Sequence, residues 1–415
     1  MERLLEVAAM RGELMLEGEE IDLLKRRSVV RELPDDLINE KYVRGEVRIV
    51  TEQARYPLSS IPQLLGSGDY LLRPEYQRRR RWSTEKKSRL IESLVMNVPV
   101  PPIFLYEYDY SKYEVMDGLQ RLSTIRDFYA DAFSLQGLVE WEELNGRTYS
   151  SLPTSVRAGI DRRYLSSIIL LQETARNDTE ARILKQLVFE RINSGGEKLT
   201  PQETRNAVHG GPMNDLCLTL SRHPSLCLTW GIPVGSQGEA GDPDDEEDAE
   251  LLENDAYREM FDVELVLRFF AFRQDPQYMA KSLRDYFDEY LKRANRFDPA
   301  LLSQLGDLFK TTIDLVYEVF GERAFWLWRQ RNGRWNWLSR PTTVAYDTIM
   351  FAFSQRLPQK DLILEHKEEL AAKLPSFYEE NYSSFAGRYT NPANIISRRE
   401  LFGDFVDGEL RNDRR

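Results

Sequence analysis

The sequence predicts an α/β fold: an N-terminal domain on a small mixed sheet, an acidic linker, and a mainly helical C-terminal domain. Three observations predict it. From about residue 46 to 234, short β-branched and aromatic runs alternate with stretches of helical periodicity. Gly235 to Asp255 is poor in aromatics, and from Glu239 to Asp255 it holds ten Asp or Glu and no base, the composition of a flexible linker. From Ala256 onward apolar residues recur at helical spacing, with Val263, Leu267 and Phe270 on one stripe and Leu302, Leu305 and Phe309 on another. Residues 1–45 read as a helical extension, with Leu4, Leu5, Ala8, Leu14 and Leu16 at near-helical intervals and Pro34-Asp35-Asp36 as a restart.

In chain order, Val47 to Val50 brings a strand signal and Ile61-Pro62-Gln63-Leu64-Leu65 a short helix. Ser83-Thr84-Glu85 starts a helix whose Leu90, Ile91, Leu94 and Val95 share a face, with Trp82 as a core anchor. Prolines 99, 101 and 102 then break the chain before a buried strand, Ile103 to Tyr106. Asp109-Tyr110-Ser111 turns into a second strand, Lys112 to Met116, which delivers Asp117-Gly118. Leu122, Ile125 and Tyr129 follow at helical spacing. Ser155 to Arg163 reads as a short helix, Ser166 to Leu171 as a strand and Thr179 to Ile192 as a helix. Thr200 is the N-cap of the next, with Pro201 at its first position and Glu203 closing a capping box.

Hydrophobic content of 41% with 30% charged residues fits a globular chain, and no apolar run is long enough to span a membrane. The acidic N-terminal residues Glu2, Glu6 and Glu13 argue against a targeting peptide, so a cytoplasmic protein is expected. Cys217 and Cys227 read as buried thiols. The net charge of −12 excludes wholesale coating of nucleic acid, yet Arg73 to Arg89 holds eight Lys or Arg against two Glu. A local basic cluster suffices for phosphates, because charges beyond a Debye length count little.

The chemistry concentrates at Asp117 to Thr124. A turn from strand to helix exposes free N–H groups and the positive end of the helix dipole, which suits a phosphate. Asp117 adds a metal ligand, Arg121 a fork of donors, and Gln120 and Thr124 groups that can orient water. The structural alternative is that Asp117 caps a helix and Arg121 is solvated. Arg78-Arg79-Arg80-Arg81, costly to crowd together without anions, reads as a phosphate-binding loop or a solvated one. Asn193-Ser194-Gly195-Gly196 is either a loop between helices or a place where backbone N–H groups meet a nucleotide, with Asn193 and Arg205 reading its phosphates or sugar.

Taken together, Tyr76-Gln77-Arg78…Trp82, Leu90-Ile91-Glu92-Ser93, Pro99…Pro102-Ile103-Phe104-Leu105, Asp117 to Thr124 and Phe189 to Ala207 resemble, in one order, the N-terminal domain of GmrSD-type restriction enzymes, a family related to the ParB/sulfiredoxin fold. The family usually has Asp-Gly-Gln-Gln-Arg; here Leu119 replaces the first Gln. The resemblance implies a module that binds and hydrolyses an NTP with Mg²⁺ or Mn²⁺ in defence against foreign or modified DNA. Asp117, Gln120 and Arg121 would be catalytic, Asp117 would hold the metal, and Tyr76, Gln77, Arg78, Gly118, Thr124, Asn193, Gly195, Gly196 and Arg205 would bind nucleotide. The nuclease that often accompanies such a domain needs a histidine base, but His209, His223 and His366 are scattered, so a separate subunit is the expected nuclease partner. A homo-oligomer stays open. So does a different class of function, a non-catalytic DNA- or partner-binding module.

Phe325 to Leu338 reads as a hairpin about Asn332-Gly333. Trp328 would oppose Trp337 and Gln330 oppose Trp335 on one face, with Arg329, Arg331, Arg334 and Asn336 on the other. Either the arginines are solvated, or they join Arg79, Arg80 and Arg81 as DNA contacts.

Overall fold

The computed structural model describes residues 15–21, 34–43, 49–72, 82–171, 184, 187–189, 191–192, 200–234, 249–275, 282–386 and 391–411. The chain divides into two compact units, Ser28–Leu199 and a second formed by Met1–Arg27 with Thr200–Arg415.

The first unit begins with α1 (Asp35–Val43), β1 (Thr51–Pro57), α2 (Ile61–Gly66), β2 (Tyr70–Leu71), α3 (Thr84–Val95), β3 (Ile103–Asp109) and β4 (Lys112–Asp117). It continues with α4 (Leu119–Tyr129), α5 (Thr154–Asp161) and β5 (Tyr164–Leu170). The strands form one mixed sheet in the order β1-β5-β3-β4-β2. The β1–β5 and β3–β4 pairs are antiparallel, and the β3–β5 and β2–β4 pairs are parallel. Alternation sends Ile103, Leu105, Val115, Leu165 and Ile169 to one face, where they join Leu90, Ile91 and Leu94 of α3 and Leu122, Ile125 and Phe128 of α4 in one core. Ser83 caps α3 by accepting from the Lys86 N–H at 3.3 Å, and Trp82 packs on the core edge. The edge strand falls at Thr51–Pro57, one step beyond the apolar Val47 to Val50 run. Most of its side chains are polar and exposed, so the strand is held by pairing with β5 along its full length, with Ala54 and Tyr56 packing partly buried against the core.

Among its described residues the second unit is helical apart from one hairpin: α6 (Pro201–Val208), α7 (Pro212–Leu220), α8 (Phe261–Arg273), α9 (Leu283–Ala294), α10 (Pro299–Phe320), β6 (Trp328–Arg331), β7 (Arg334–Trp337), α11 (Thr343–Ser354), α12 (Lys367–Glu380) and α13 (Pro392–Arg411), with shorter helices between. Helix α8 is central and buried on nearly every side: Val263, Leu265, Val266, Leu267, Phe270 and Ala271 are fully buried, and its buried Arg268 and Arg273 are ion-paired. Cys217 and Cys227 are free, buried thiols.

Two boundaries differ from the sequence expectation. Residues 200–234, placed by sequence with the sheet domain, pack in the helical unit, because Met213, Cys217, Leu220 and Leu226 bury their side chains there. The acidic stretch expected as linker to Asp255 is helical at Ala249–Glu253 and again from Asp255, where Leu251 and Tyr257 bury against Cys227 and Ile232; residues 235–248 lie outside the described residues. The helix expected through the N-terminal extension is also interrupted: residues 16–21 turn at Gly18, whose φ of +83° suits glycine.

That N-terminal turn is clamped to α8 by charge. Glu19 is fully buried, and its carboxylate accepts from Arg273 Nε at 2.6 Å and Nη2 at 2.8 Å. Gln274 donates to the Glu19 carbonyl and accepts from the Ile21 N–H, each at 2.9 Å. Glu19→Ala strands the guanidinium without its carboxylate and is expected to destabilise the helical unit by about 3–5 kcal/mol, read by urea unfolding; a loss under about 1 kcal/mol would refute the clamp.

Candidate functional site

The site is built where β4 becomes α4. Gly118 is the N-cap of α4 with φ +98°, so the chain turns directly from strand to helix. The turn sits hard against β3: a Cβ on Gly118 would lie 2.4 Å from Ile103 Cγ2. Only glycine meets both conditions. Asp117 therefore ends the strand, Arg121 stands one helical turn above it, and their side chains pair, Arg121 Nη2 donating to Asp117 Oδ2 at 2.6 Å. The same nitrogen donates to the Pro102 carbonyl at 3.3 Å, while Arg121 Nε is buried with no partner among the described residues. The pair is partly open, with side-chain exposures of 14% for Arg121 and 35% for Asp117.

Gln120 is spoken for in a different way: its Oε1 accepts from the Trp82 backbone N–H at 3.3 Å. Trp82 follows directly on the arginine run, whose own residues, together with Tyr76 and Gln77, lie outside the described residues. On the other flank, Tyr70 and Leu71 of β2 pair with Tyr113 and Glu114 of β4. Both flanks of the basic segment are thus held beside the strand and helix that form the site. Lys86, one turn into α3, lies over the Trp82 ring at 5.1 Å.

Two residues expected at the site serve the fold instead. Thr124 is fully buried and its hydroxyl donates to the Gln120 carbonyl at 2.7 Å, a bond within the helix that commits its proton away from solvent. Arg205 belongs to the helical unit, where it is 3% exposed and ion-paired to Asp288 at 2.6 Å and Glu264 at 3.0 Å. It also donates to Gln202 Oε1, and Gln202 donates to Asn206, so this motif builds a buried polar network. The capping box of Thr200 and Glu203 is present as read. Asn193, Gly195 and Gly196 lie outside the described residues.

Sequence reasoning gave Glu92 no role of its own. It is buried, and its Oε1 accepts three backbone N–H groups, from Val139, Glu140 and Trp141, at 2.9–3.1 Å. It pins that loop to α3; its place in Leu90-Ile91-Glu92-Ser93, an acid on an apolar helix face, was the available signal. The described residues hold no group of three or more His, Cys, Asp or Glu able to bind a metal, and no described helix is long and apolar enough to cross a membrane.

Residues 61–210, which include the strand-to-helix turn carrying Asp117, Gly118, Gln120 and Arg121, match the family model described as GmrSD restriction endonuclease, N-terminal domain. The chain carries a domain of that family, and with it a link to restriction-type defence. No curated protein and no solved structure matches the chain.

Gly118→Ala tests the turn. The added methyl meets Ile103 and an unfavourable φ together, so a destabilisation of about 2–6 kcal/mol is expected by urea unfolding. Gly68→Ala, also at positive φ but with open space around its Cβ, should cost only about 1–2 kcal/mol. Equal costs would mean that the close approach to Ile103 does not constrain the turn.

Proposed function

We propose that the Asp117–Arg121 turn binds the phosphates of a nucleoside triphosphate and that the chain acts as an NTP-dependent sensor or switch in a restriction-type defence system directed at foreign or modified DNA. The supporting observation is the partly exposed Asp117–Arg121 pair at the first turn of α4, beside a backbone that approaches too closely for any Cβ. The pair is open on the Asp117 side, so a triphosphate can compete for Arg121 at less cost than at a sealed pair. Arg121 then neutralises phosphate charge and the free N–H groups of α4 add to it, with Arg78 as a further candidate for phosphate contact. Asp117 is the carboxylate that fits a Mg²⁺ or Mn²⁺ arriving with the phosphates, since Mg²⁺ is commonly held by one or two carboxylates plus phosphate oxygens. The cation would supply charge neutralisation on the phosphoryl oxygens. Gln120 Oε1 is held by the Trp82 N–H, which orients the side chain, and its amide N–H groups are the ones that would position water.

A second reading is binding with little or no turnover. Leu119, where the family usually has Gln, is buried in the core and offers no polar group to the site. Cleavage of DNA in either reading is assigned to a separate nuclease subunit.

A panel of NTPs and dNTPs with Mg²⁺, read by phosphate release alongside direct binding, separates the readings. Asp117→Ala and Arg121→Ala are each expected to lower turnover roughly 10²–10³-fold with the fold retained; variants turning over like wild type would reject the assignment. Arg78→Ala is expected to weaken NTP binding, and unchanged affinity would remove the basic segment from the site.

A further inference from the structure

The hairpin of the helical unit has two unlike faces. Its register pairs Trp328 with Trp337 and Gln330 with Trp335 on one side, and Arg329 with Asn336 and Arg331 with Arg334 on the other. The turn residues Asn332 and Gly333 take φ +52° and +76°, the left-handed values a two-residue turn requires. The tryptophan face is anchored. Trp328 Nε1 donates to Glu379 at 2.8 Å, the Trp328 and Trp337 rings meet edge to face at 5.3 Å, and Trp337 and Trp335 pack on Tyr378 and Tyr382. Arg329 is anchored too, donating to the Phe385 carbonyl. It is therefore removed from the set of free arginines.

Arg331 and Arg334 remain. They stand directly opposite one another, both are exposed, and neither has a carboxylate partner among the described residues. Like charges directly opposite on a ribbon destabilise it, and a two-stranded hairpin alone is marginal, yet this one is fixed by its aromatic face. Such an arrangement gains stability when an anion bridges the two guanidinium groups. Gln330 to Arg334 and Asn336 are all exposed, so the ribbon's end and its arginine face are presented as a slab two strands wide. A slab of that width fits the major groove of B-form DNA, about 12 Å across, whereas the deep, narrow major groove of duplex RNA does not admit it. We infer that the arginine face of the 328–337 hairpin is an interface for duplex DNA, with Arg331 and Arg334 contacting backbone phosphates. In a chain of net charge −12, contact is confined to such a local surface.

The test uses the full chain, a labelled mixed-sequence DNA duplex, the same sequence as RNA duplex, and a polyglutamate peptide, each titrated over a range of salt. Replacing both residues, Arg331→Gln with Arg334→Gln, is expected to reduce the DNA log–log salt slope by about 1.8, which makes the wild type lose about 12-fold more affinity than the variant between about 50 and 200 mM salt. Arg331→Lys with Arg334→Lys keeps both charges and should hold the wild-type slope. The tryptophan fluorescence of both variants should match wild type. An unchanged slope in the Gln variant, a Lys variant that behaves like it, or tighter binding of RNA or polyglutamate than of DNA would each overturn the inference.

Discussion

The approach of the Gly118 backbone to Ile103 is the constraint on which the site depends. Because no side chain intervenes, β4 can end against the start of β3 and reverse into α4 within one residue. A longer or looser turn would carry Arg121 away from Asp117 and from the Pro102 carbonyl, both of which it reaches with a single nitrogen. The register of β4 on β3 and the anchoring of α4 in the core by Leu122, Ile125 and Phe128 then fix where the functional groups stand. Packing sets the position, and the polar groups follow from it.

Burial sorts the ion pairs of this chain by what they can do. Glu19–Arg273 is sealed, with exposures of 0% and 1%, so breaking it leaves a charge in low dielectric and costs several kcal/mol. Arg205 is nearly as buried at 3% exposure, although its partners Glu264 and Asp288 are 18% and 24% exposed. Neither can release its arginine to a ligand without unfolding what surrounds it. Asp117–Arg121 has comparable geometry but is open on the Asp117 side, so its partners can be exchanged at less cost. Distance alone would have ranked these pairs together.

What the sequence revealed and what it hid divide along the range of the interactions. Asp117-Gly118, Asn332-Gly333, Ser83 and the Thr200–Glu203 box are signals within four residues, and each forms as read. The alternating strands Ile103–Asp109 and Lys112–Asp117 were legible for the same reason. Arg205 misled because its partners lie 59 and 83 residues further along, and a motif arginine in a buried network looks in sequence like one in a ligand site. Thr124 misled because its hydroxyl bonds backward along the helix, a use no spacing rule distinguishes from facing a phosphate. The edge strand Thr51–Pro57 stayed hidden because Ala54 and Tyr56, the side chains it packs on the core, stand among polar neighbours and give only a weak signal. The domain boundary slipped because the helices at 212–220 and 224–230 are apolar in a way that suits either neighbour, and only packing chooses.

The hairpin shows why a structural reading and a functional reading of the same residues need not compete. A β-ribbon has two faces, and alternation assigns the tryptophans to one and the arginines to the other, so anchoring the first says nothing against the second. The anchored face in fact makes the exposed one useful. Two arginines on a marginal hairpin would spend binding energy on ordering the ribbon, whereas here Trp328, Trp337, Tyr378 and Glu379 have already fixed it. Arg329 marks the boundary between the two roles: its place on the arginine face is set by register, but its reach to the Phe385 carbonyl makes it part of the mount. What is left for a partner is the pair nearest the turn, where the chain is most exposed and the charge least compensated.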